Sequence, residues 1–260
     1  MFEELNNIAG WSLKNLPTNK MILISDWNTD ASFLLHHFLA FYLKANSKVV
    51  LAHAAQSFIH YNLACSRLGV NLERSRNNGD LIALNLLDAS LQQYVEGSCE
   101  NLSLDSEYCL NFLFGDNSLK HLFKVFKRCV ENTKDALIIL DDVTLFLGLG
   151  VSQKDLNYFV HYMDVLCKSN NCTFVTLFHQ NFAPDISEPS PYLCCQLYAS
   201  YEIEVKGLES GYSKDVHGVL TLKSKETKGI KTYQPHKLMH YRLTDRSLQL
   251  LAPGTSSAVL

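Results

Sequence analysis

The chain has 260 residues, of which 47% are hydrophobic and 19% are charged, and its formal net charge is −3. This composition excludes a disordered chain, which combines low hydrophobicity with high net charge, and the 12 glycines and 6 prolines exclude a collagen-like one. The eight cysteines are scattered, and we recognise no secretion signal and no membrane-spanning apolar run. We therefore expect free thiols in a reducing compartment, the cytoplasm and also the nucleus, and no membrane association.

The first half of the chain alternates apolar strand patterns with helical periods. Residues 21–25 form a short apolar run typical of a buried strand. Residues 33–46 repeat apolar side chains every three or four positions, as a helix does, with Thr29 or Asp30 as its expected N-cap. A strand at 49–52, a helix at 58–68 and a strand at 80–85 follow, and the pattern of 86–115 predicts no element.

The second half begins in the same way and then changes. A helical period at 119–130, a strand at 136–140, a helix at 155–167 and a strand at 172–178 are followed by four strand patterns with no helix between them, at 196–206, 217–223, 238–243 and 248–251. We predict one α/β domain over 1–260, with a twisted, mostly parallel sheet and helices on both faces. Residues 1–20 are an N-terminal segment, and 196–251 form an antiparallel strand extension.

Charge is distributed unevenly along the chain. Residues 206–246 carry nine lysines and arginines against four acids, a net charge of +5, which leaves −8 for the remainder. Such asymmetry is typical of a chain that meets an anionic ligand or an acidic neighbouring subunit. Solvated lysines on exposed strands are the alternative interpretation.

The connection from the first strand to the first long helix is where a nucleotide-binding α/β protein places its phosphate loop. That loop needs two glycines, a lysine and a final Ser or Thr. Here Ser25 and Asp30 stand for the glycines and Ala31 for the lysine, and only Ser32 fits. Asp26 and Asp30 would repel a triphosphate by about 1–4 kcal/mol per close charge pair, so we predict that no phosphate binds here.

Two further positions of such an ATPase can be compared. The strand at 136–140 ends in Asp141-Asp142, which has the form of the acid-ended motif that holds Mg²⁺. After the strand at 49–52, where a carboxylate would activate water, the residues are Ala54-Ala55-Gln56. We interpret the chain as an ATPase scaffold that does no ATP chemistry itself. The alternative is an ATPase with a cryptic site that uses Ser32 and Asp141.

Histidines and cysteines predict no further site. His36 and His37 are adjacent on a helix and point about 100° apart, so they cannot chelate one metal. We expect His36 to face water and His37 to lie at the edge of the core. No Ser–His or Cys–His arrangement has a spacing typical of a nucleophilic enzyme. The chain is therefore predicted to be no enzyme and to hold no metal and no cofactor.

Several strings carry a family resemblance. The layout is similar to a RecA-type ATPase domain, and SFLLHHFLAFYLKAN, AQSFIHYNLACSRLGV, GYSKDVHGVLTL and GTSSAVL resemble the sixth-subunit family of the Elongator complex. The resemblance implies a RecA-like fold without full nucleotide-binding motifs. It also implies a ring of six chains, two copies each of the fourth, fifth and sixth subunits, that binds tRNA. The larger subunits modify the wobble uridine.

The resemblance also suggests contact residues. Lys223 and Lys225 close a strand where related rings place basic residues that act on a neighbouring subunit. Pore-facing loops correspond to residues 143–153, followed by Lys154, and 180–191. Because charge dominates RNA binding, our RNA-contact candidates are basic: Arg74, Arg76, Lys154, Lys228 and Lys231. An interaction adaptor that never touches RNA remains a further alternative.

Overall fold

The computed structural model describes residues 1–86, 119–181, 189–209, 211, 213–225 and 236–252. The strands of that part are β1 Met21–Trp27, β2 Val49–His53, β3 Leu81–Asn85, β4 Leu137–Asp141, β5 Thr173–His179, β6 Tyr201–Gly207, β7 Gly218–Ser224, β8 Lys237–Leu243 and β9 Leu248–Leu251. Its helices are α1 Glu3–Ala9, α2 Ser32–Lys44, α3 Phe58–Arg67, α4 Leu72–Asn77, α5 Lys120–Val130, α6 Leu145–Gly148, α7 Gln153–Asn170 and α8 Pro191–Tyr198. None of these helices is long and apolar enough to cross a membrane.

The nine strands form one sheet in the order β3-β2-β4-β5-β1-β6-β7-β8-β9. The strands from β3 to β6 in this order pair in parallel. The strands β7, β8 and β9 continue the sheet with antiparallel pairing. The predicted α/β fold class is therefore confirmed, and the architecture is consistent with a RecA-like fold.

The prediction of a strand over 196–206 is wrong at its start. Pro191 begins helix α8, which continues to Tyr198, and strand β6 begins only at Tyr201. Proline favours the first turn of a helix because its fixed φ suits the helix and it has no N–H to leave unpaired. Since α8 lies between β5 and β6 in the chain, β6 pairs in parallel with β1. The antiparallel part of the sheet begins at β7.

Each central strand sends alternate side chains to two apolar layers, one on each face of the sheet. On β1, Ile22 and Ile24 pack in the layer that contains α2, whereas Met21 and Leu23 pack in the layer that contains α5 and α7. Strands covered on both faces read as continuous apolar runs, because every side chain is buried. This explains why MILIS and LIIL are uninterrupted in the sequence.

Helix α2 is enclosed along most of its length, since every residue from Ser32 to Tyr42 is buried. The expectation that His36 faces water is therefore wrong: His36 is 8% exposed, and its Nε2 lies 3.2 Å from Gln56 Oε1. His37 is fully buried, and its Nδ1 accepts a hydrogen bond from the Phe2 N–H. Burial lowers the pKa of His36 to about 4 and that of His37 to about 3, so both are neutral at pH 7.

Candidate functional site

The carboxyl ends of three adjacent parallel strands form the site. In the order β4-β5-β1, strand β5 lies in the middle, and the register of β1 and β5 pairs Asp26 with His179. Strand β4 ends at Asp141, and Asp142 follows it. Because carboxyl ends of parallel strands lie at one edge of a sheet, where open α/β folds bind ligands, this edge is the candidate functional site.

His179 lies between two carboxylates at this edge. Its Nδ1 is 2.8 Å from Asp26 Oδ1, and its Nε2 is 3.4 Å from Asp142 Oδ2. The side chains of Asp26 and Asp142 are only 4% and 6% exposed, and that of His179 is 41% exposed. Hydrogen bonding to Asp142 and to Asp26 raises the pKa of His179 to about 10. At pH 7 the imidazole is protonated, and we call this arrangement the Asp26–His179–Asp142 cluster.

Asp142 is held in its charged form. Burial alone would raise its pKa, but His179, the Thr144 hydroxyl and the Leu145 N–H all stabilise the carboxylate, so its pKa lies below the usual value. Thr144 Oγ1 donates to Asp142 Oδ1, and the Leu145 N–H donates to the same oxygen at 2.7 Å. The short helix α6 therefore begins on an ionised acid, which its exposed N–H groups favour.

Asp141 is in the opposite situation, although it is the neighbouring residue. It is 1% exposed, and its Oδ2 has no hydrogen-bond partner within the described residues. Burial and the nearby Asp142 charge raise the pKa of Asp141, whereas Tyr61 and His179 lower it. The net result is a pKa of about 6. The peptide bond between Asp141 and Asp142 is cis. Of the two neighbouring acids, Asp142 is paired with the His179 cation, whereas Asp141 is buried without a cation partner among the described residues.

The start of helix α2 is occupied by the chain's own carboxylates. Asp26 Oδ2 accepts from the Ala31 N–H at 3.0 Å, and Asp30 Oδ1 accepts from the Ser32 N–H at 2.7 Å. The Ser32 hydroxyl donates to Asp30 Oδ2 at 3.0 Å. Ala31 is the N-cap residue, so the expected N-cap at Thr29 or Asp30 is wrong by one or two positions.

These contacts decide what the site can do chemically. A phosphate loop offers unpaired N–H groups and a lysine to its anion. Here the N–H groups of Ala31 and Ser32 already bind carboxylates, and the cation His179 is paired on both ring nitrogens. No group of three or more His, Cys, Asp or Glu side chains in the described ranges could hold a metal ion. The N–H groups of Ala31 and Ser32 and the His179 cation are therefore not free to bind a triphosphate.

Comparison with known proteins identifies the family. The model of the Elongation complex protein 6 family matches residues 2–245. The chain belongs to this family. It is 31% identical to Elongator complex protein 6 of Xenopus laevis and 30% identical to that of Homo sapiens, in each case over 100% of both chains. It is 24% identical to Elongator complex protein 6 of Dictyostelium discoideum, over 96% of this chain and 95% of that one.

The structure brings the phosphate-loop and acid-strand positions together at this edge. Ser25 is fully buried on β1 and accepts a hydrogen bond from Gln180 Nε2 at 3.0 Å. Asp30, Ala31 and Ser32 lie at the start of α2, and Asp142 follows β4, which β5 separates from β1 in the sheet. The two residues of the cryptic-ATPase alternative have other partners or none: Ser32 donates to Asp30, and Asp141 is buried.

The two predicted interface lysines have partners within the chain. Lys223 Nζ lies 3.4 Å from Glu202 Oε1 and 3.3 Å from Glu204 Oε2. Lys225 Nζ donates to the carbonyl oxygens of Gln196 and Leu197 at the end of α8. A contact of either lysine with a neighbouring subunit would compete with these bonds, so their interface role stays a prediction.

The RNA-contact candidates among the described residues lie on helices α4 and α7. Arg74 and Arg76 are exposed on α4, and the Arg76 guanidinium lies 5.7 Å from the centre of the Phe58 ring. Lys154 is exposed in the first turn of α7. Lys228 and Lys231 lie outside the described residues.

Sequence reasoning missed His179. The strand prediction ended at 178, whereas β5 continues to His179. A histidine at the end of an apolar strand, in a chain whose other strands end in Asp26 and Asp141-Asp142, is the signal that could have been used. Only the strand order, which places β5 between β4 and β1, shows that this histidine lies between the acids.

The neighbouring acids give a paired prediction. Asp141→Asn should raise the free energy of unfolding at pH 7.5 by about 2 kcal/mol, because it removes a buried charge that has no cation. The folded-state pKa of Asp141 is raised to about 6, so the wild type is more stable while Asp141 is protonated. It loses that stability as the pH rises through 6 and the buried carboxylate ionises. The gain in the variant should therefore disappear by pH 4. Urea unfolding at both pH values measures this.

Asp142→Asn is the matched control, with the opposite sign. The pKa of Asp142 is lowered, so its stabilisation is present above its ordinary pKa and is lost as pH falls. The variant should lose about 2 kcal/mol at pH 7.5, because the protonated His179 loses one of its two carboxylate partners. Equal losses in both variants would contradict the distinction drawn between the two carboxylates.

Proposed function

We propose that this chain is a structural subunit of the Elongator complex and does no nucleotide chemistry of its own. The observation that carries the proposal is the Asp26–His179–Asp142 cluster, in which an internal cation joins a carboxylate of the predicted phosphate-loop segment to one of the predicted acid-ended strand. Family membership supports the assignment to Elongator. The carboxylates at this edge of the sheet are neutralised by His179 of the same chain rather than by a ligand. In our proposal the domain therefore acts by assembling with other subunits.

The partners follow from the same family. In our proposal the chain packs with the fourth and fifth Elongator subunits in a ring of six, with two copies of each. The ring binds tRNA and presents it to the larger subunits, which modify the wobble uridine. The proposed location is the cytoplasm, with the nucleus as a second location.

Exposed apolar side chains support a chain that is covered by neighbouring subunits. Six large ones are more than half exposed: Ile59, Leu63, Tyr158, Tyr162, Leu193 and Leu197.

Exposed arginines and lysines support a contribution to tRNA binding. Phosphate contacts dominate the affinity of proteins for nucleic acids, and arginine makes the strongest of them. Arg74 and Arg76 project from one short helix, two positions apart, and Lys154 is exposed elsewhere on the surface. We propose the two arginines as the main contacts among the described residues.

Titration with Mg-ATP tests the absence of nucleotide chemistry. The isolated chain should show no heat of binding at millimolar nucleotide, because the helix N–H groups and His179 already have partners. An ATP-binding RecA-type protein serves as the positive control. Micromolar, Mg²⁺-dependent binding that Asp141→Ala abolishes would contradict the proposal and favour the cryptic ATPase.

Co-expression with the fourth and fifth subunits tests assembly and tRNA binding. Native mass measurement should give a complex with two copies of each chain, and that complex should bind tRNA on filters. Arg74→Glu/Arg76→Glu should leave the mass unchanged, weaken tRNA binding by about tenfold and reduce the salt dependence, because phosphate contacts are lost.

The control for this experiment is Lys14→Glu/Lys134→Glu, which makes the same charge change at two other exposed positions. It should affect tRNA binding much less. A ring that binds tRNA equally well with both double variants would remove the arginines from the RNA surface. A chain that does not join the other two subunits would contradict the proposed function itself.

A further inference from the structure

A groove lies between helices α5 and α7 on the face of the sheet opposite α2. Its volume is about 640 Å³. The α7 side presents Tyr158, Phe159 and Tyr162, and the α5 side presents Phe123 and a row of lysines. The groove lies on another part of the chain than the candidate site at the carboxyl edge of the sheet.

The α7 wall is apolar and open to solvent. Tyr158, Tyr162 and Val165 are 54%, 53% and 45% exposed, although they belong to an 18-residue helix packed in the core. Their spacing of four and three places them on one face of α7, in a stripe about 10 Å long. Helix α8, which packs against α7 through His161 and Tyr198, adds the exposed Leu193 and Leu197. An apolar face of this size marks a binding surface.

The α5 wall is basic. Lys120, Lys124 and Lys127 line the groove at spacings of four and three, so they also lie on one face of a helix over about 10 Å. Asp155 is the acid among the lining residues, and its Oδ2 already accepts from the Ser152 hydroxyl at 2.7 Å. The groove thus has a net positive charge in a chain whose formal net charge is −3.

We propose that this groove binds an acidic amphipathic helix of a partner protein. Two to three turns of such a helix would place apolar side chains, spaced four and three apart, on Tyr158, Tyr162 and Val165. Its acidic flank would face Lys124 and Lys127 of α5. Matching apolar and charged rows over one length is how helices recognise grooves, and the opposite charges fix the orientation.

A protein helix fits this groove better than RNA does. Single-stranded RNA needs aromatic faces free for base stacking. The Tyr162 ring already packs on Phe123, with centroids 5.9 Å apart. The stripe continues into Val165, and α8 adds leucines, none of which offers a stacking surface. The lysine stems cover apolar area, as they do beside buried helices.

The test uses a synthetic peptide as the probe. It is a fluorescein-labelled amphipathic helix of about 18 residues, with leucines at spacings of four and three and glutamates on the flanks. The intact chain should bind it with micromolar affinity in an anisotropy titration, and should bind the same peptide with lysines for glutamates at least tenfold less tightly. Lys124→Glu/Lys127→Glu should weaken binding of the glutamate peptide by about tenfold, because two attractions become repulsions.

Two further variants complete the design. Tyr158→Ser/Tyr162→Ser should also weaken binding of the glutamate peptide by at least tenfold. The matched charge control, Lys14→Glu/Lys134→Glu, should leave it unchanged. The inference rests on the proposed function to the extent that both take Tyr158 and Tyr162 as part of a surface covered by a partner protein. The peptide titration uses the isolated chain and neither ATP nor tRNA, so its failure is distinguishable from a failure of ring assembly in the co-expression experiment. Circular dichroism of each variant checks that it is folded.

Three outcomes would overturn the inference. The first is a labelled single-stranded RNA that binds more tightly than the peptide and loses binding with the tyrosine variant. The second is a peptide affinity that neither double variant of the groove changes. The third is no binding by the intact chain.

Discussion

The ion pairs of His179 with Asp26 and Asp142 are the interaction on which this edge of the sheet depends. Two nearly buried carboxylates a few ångströms apart would repel each other strongly without a cation between them. The sheet order β4-β5-β1 places the histidine between them, and hydrogen bonding to both keeps it protonated. The fold thus supplies from its own chain a positive charge between the two carboxylates.

Exposed surfaces away from the cluster are the other candidates for function. Most of the exposed large apolar side chains of the described residues are on α3, α7 and α8, and basic ones discussed above are on α4, α5 and the first turn of α7. Both sets lie on helices that cover the sheet, so packing of the core fixes their positions. Family membership makes the chain a subunit of the Elongator complex, and these surfaces are available to partners.

The strands and long helices were predictable because burial imposes a local period on the sequence. The runs at 21–25 and 136–140 and the helical period at 119–130 all correspond to elements close to their predicted bounds. The short helix α4 escaped prediction because six residues hold less than two turns. His179 and the burial of His36 could not be predicted, since both depend on which strand or helix lies alongside. The sequence shows that the expected phosphate-loop position has Ala31 where a lysine would stand. It does not show that His179 brings a positive charge to the same edge of the sheet.

The protonation state of His179 tests the central claim most directly. Nitrogen-15 NMR of the imidazole rings, with His179→Gln to assign the resonance, follows both ring nitrogens between pH 6 and 11. The account predicts that His179 keeps both ring protons at pH 8 and titrates near pH 10. A neutral His179 ring at pH 7 would contradict the claim that an internal cation lies between Asp26 and Asp142.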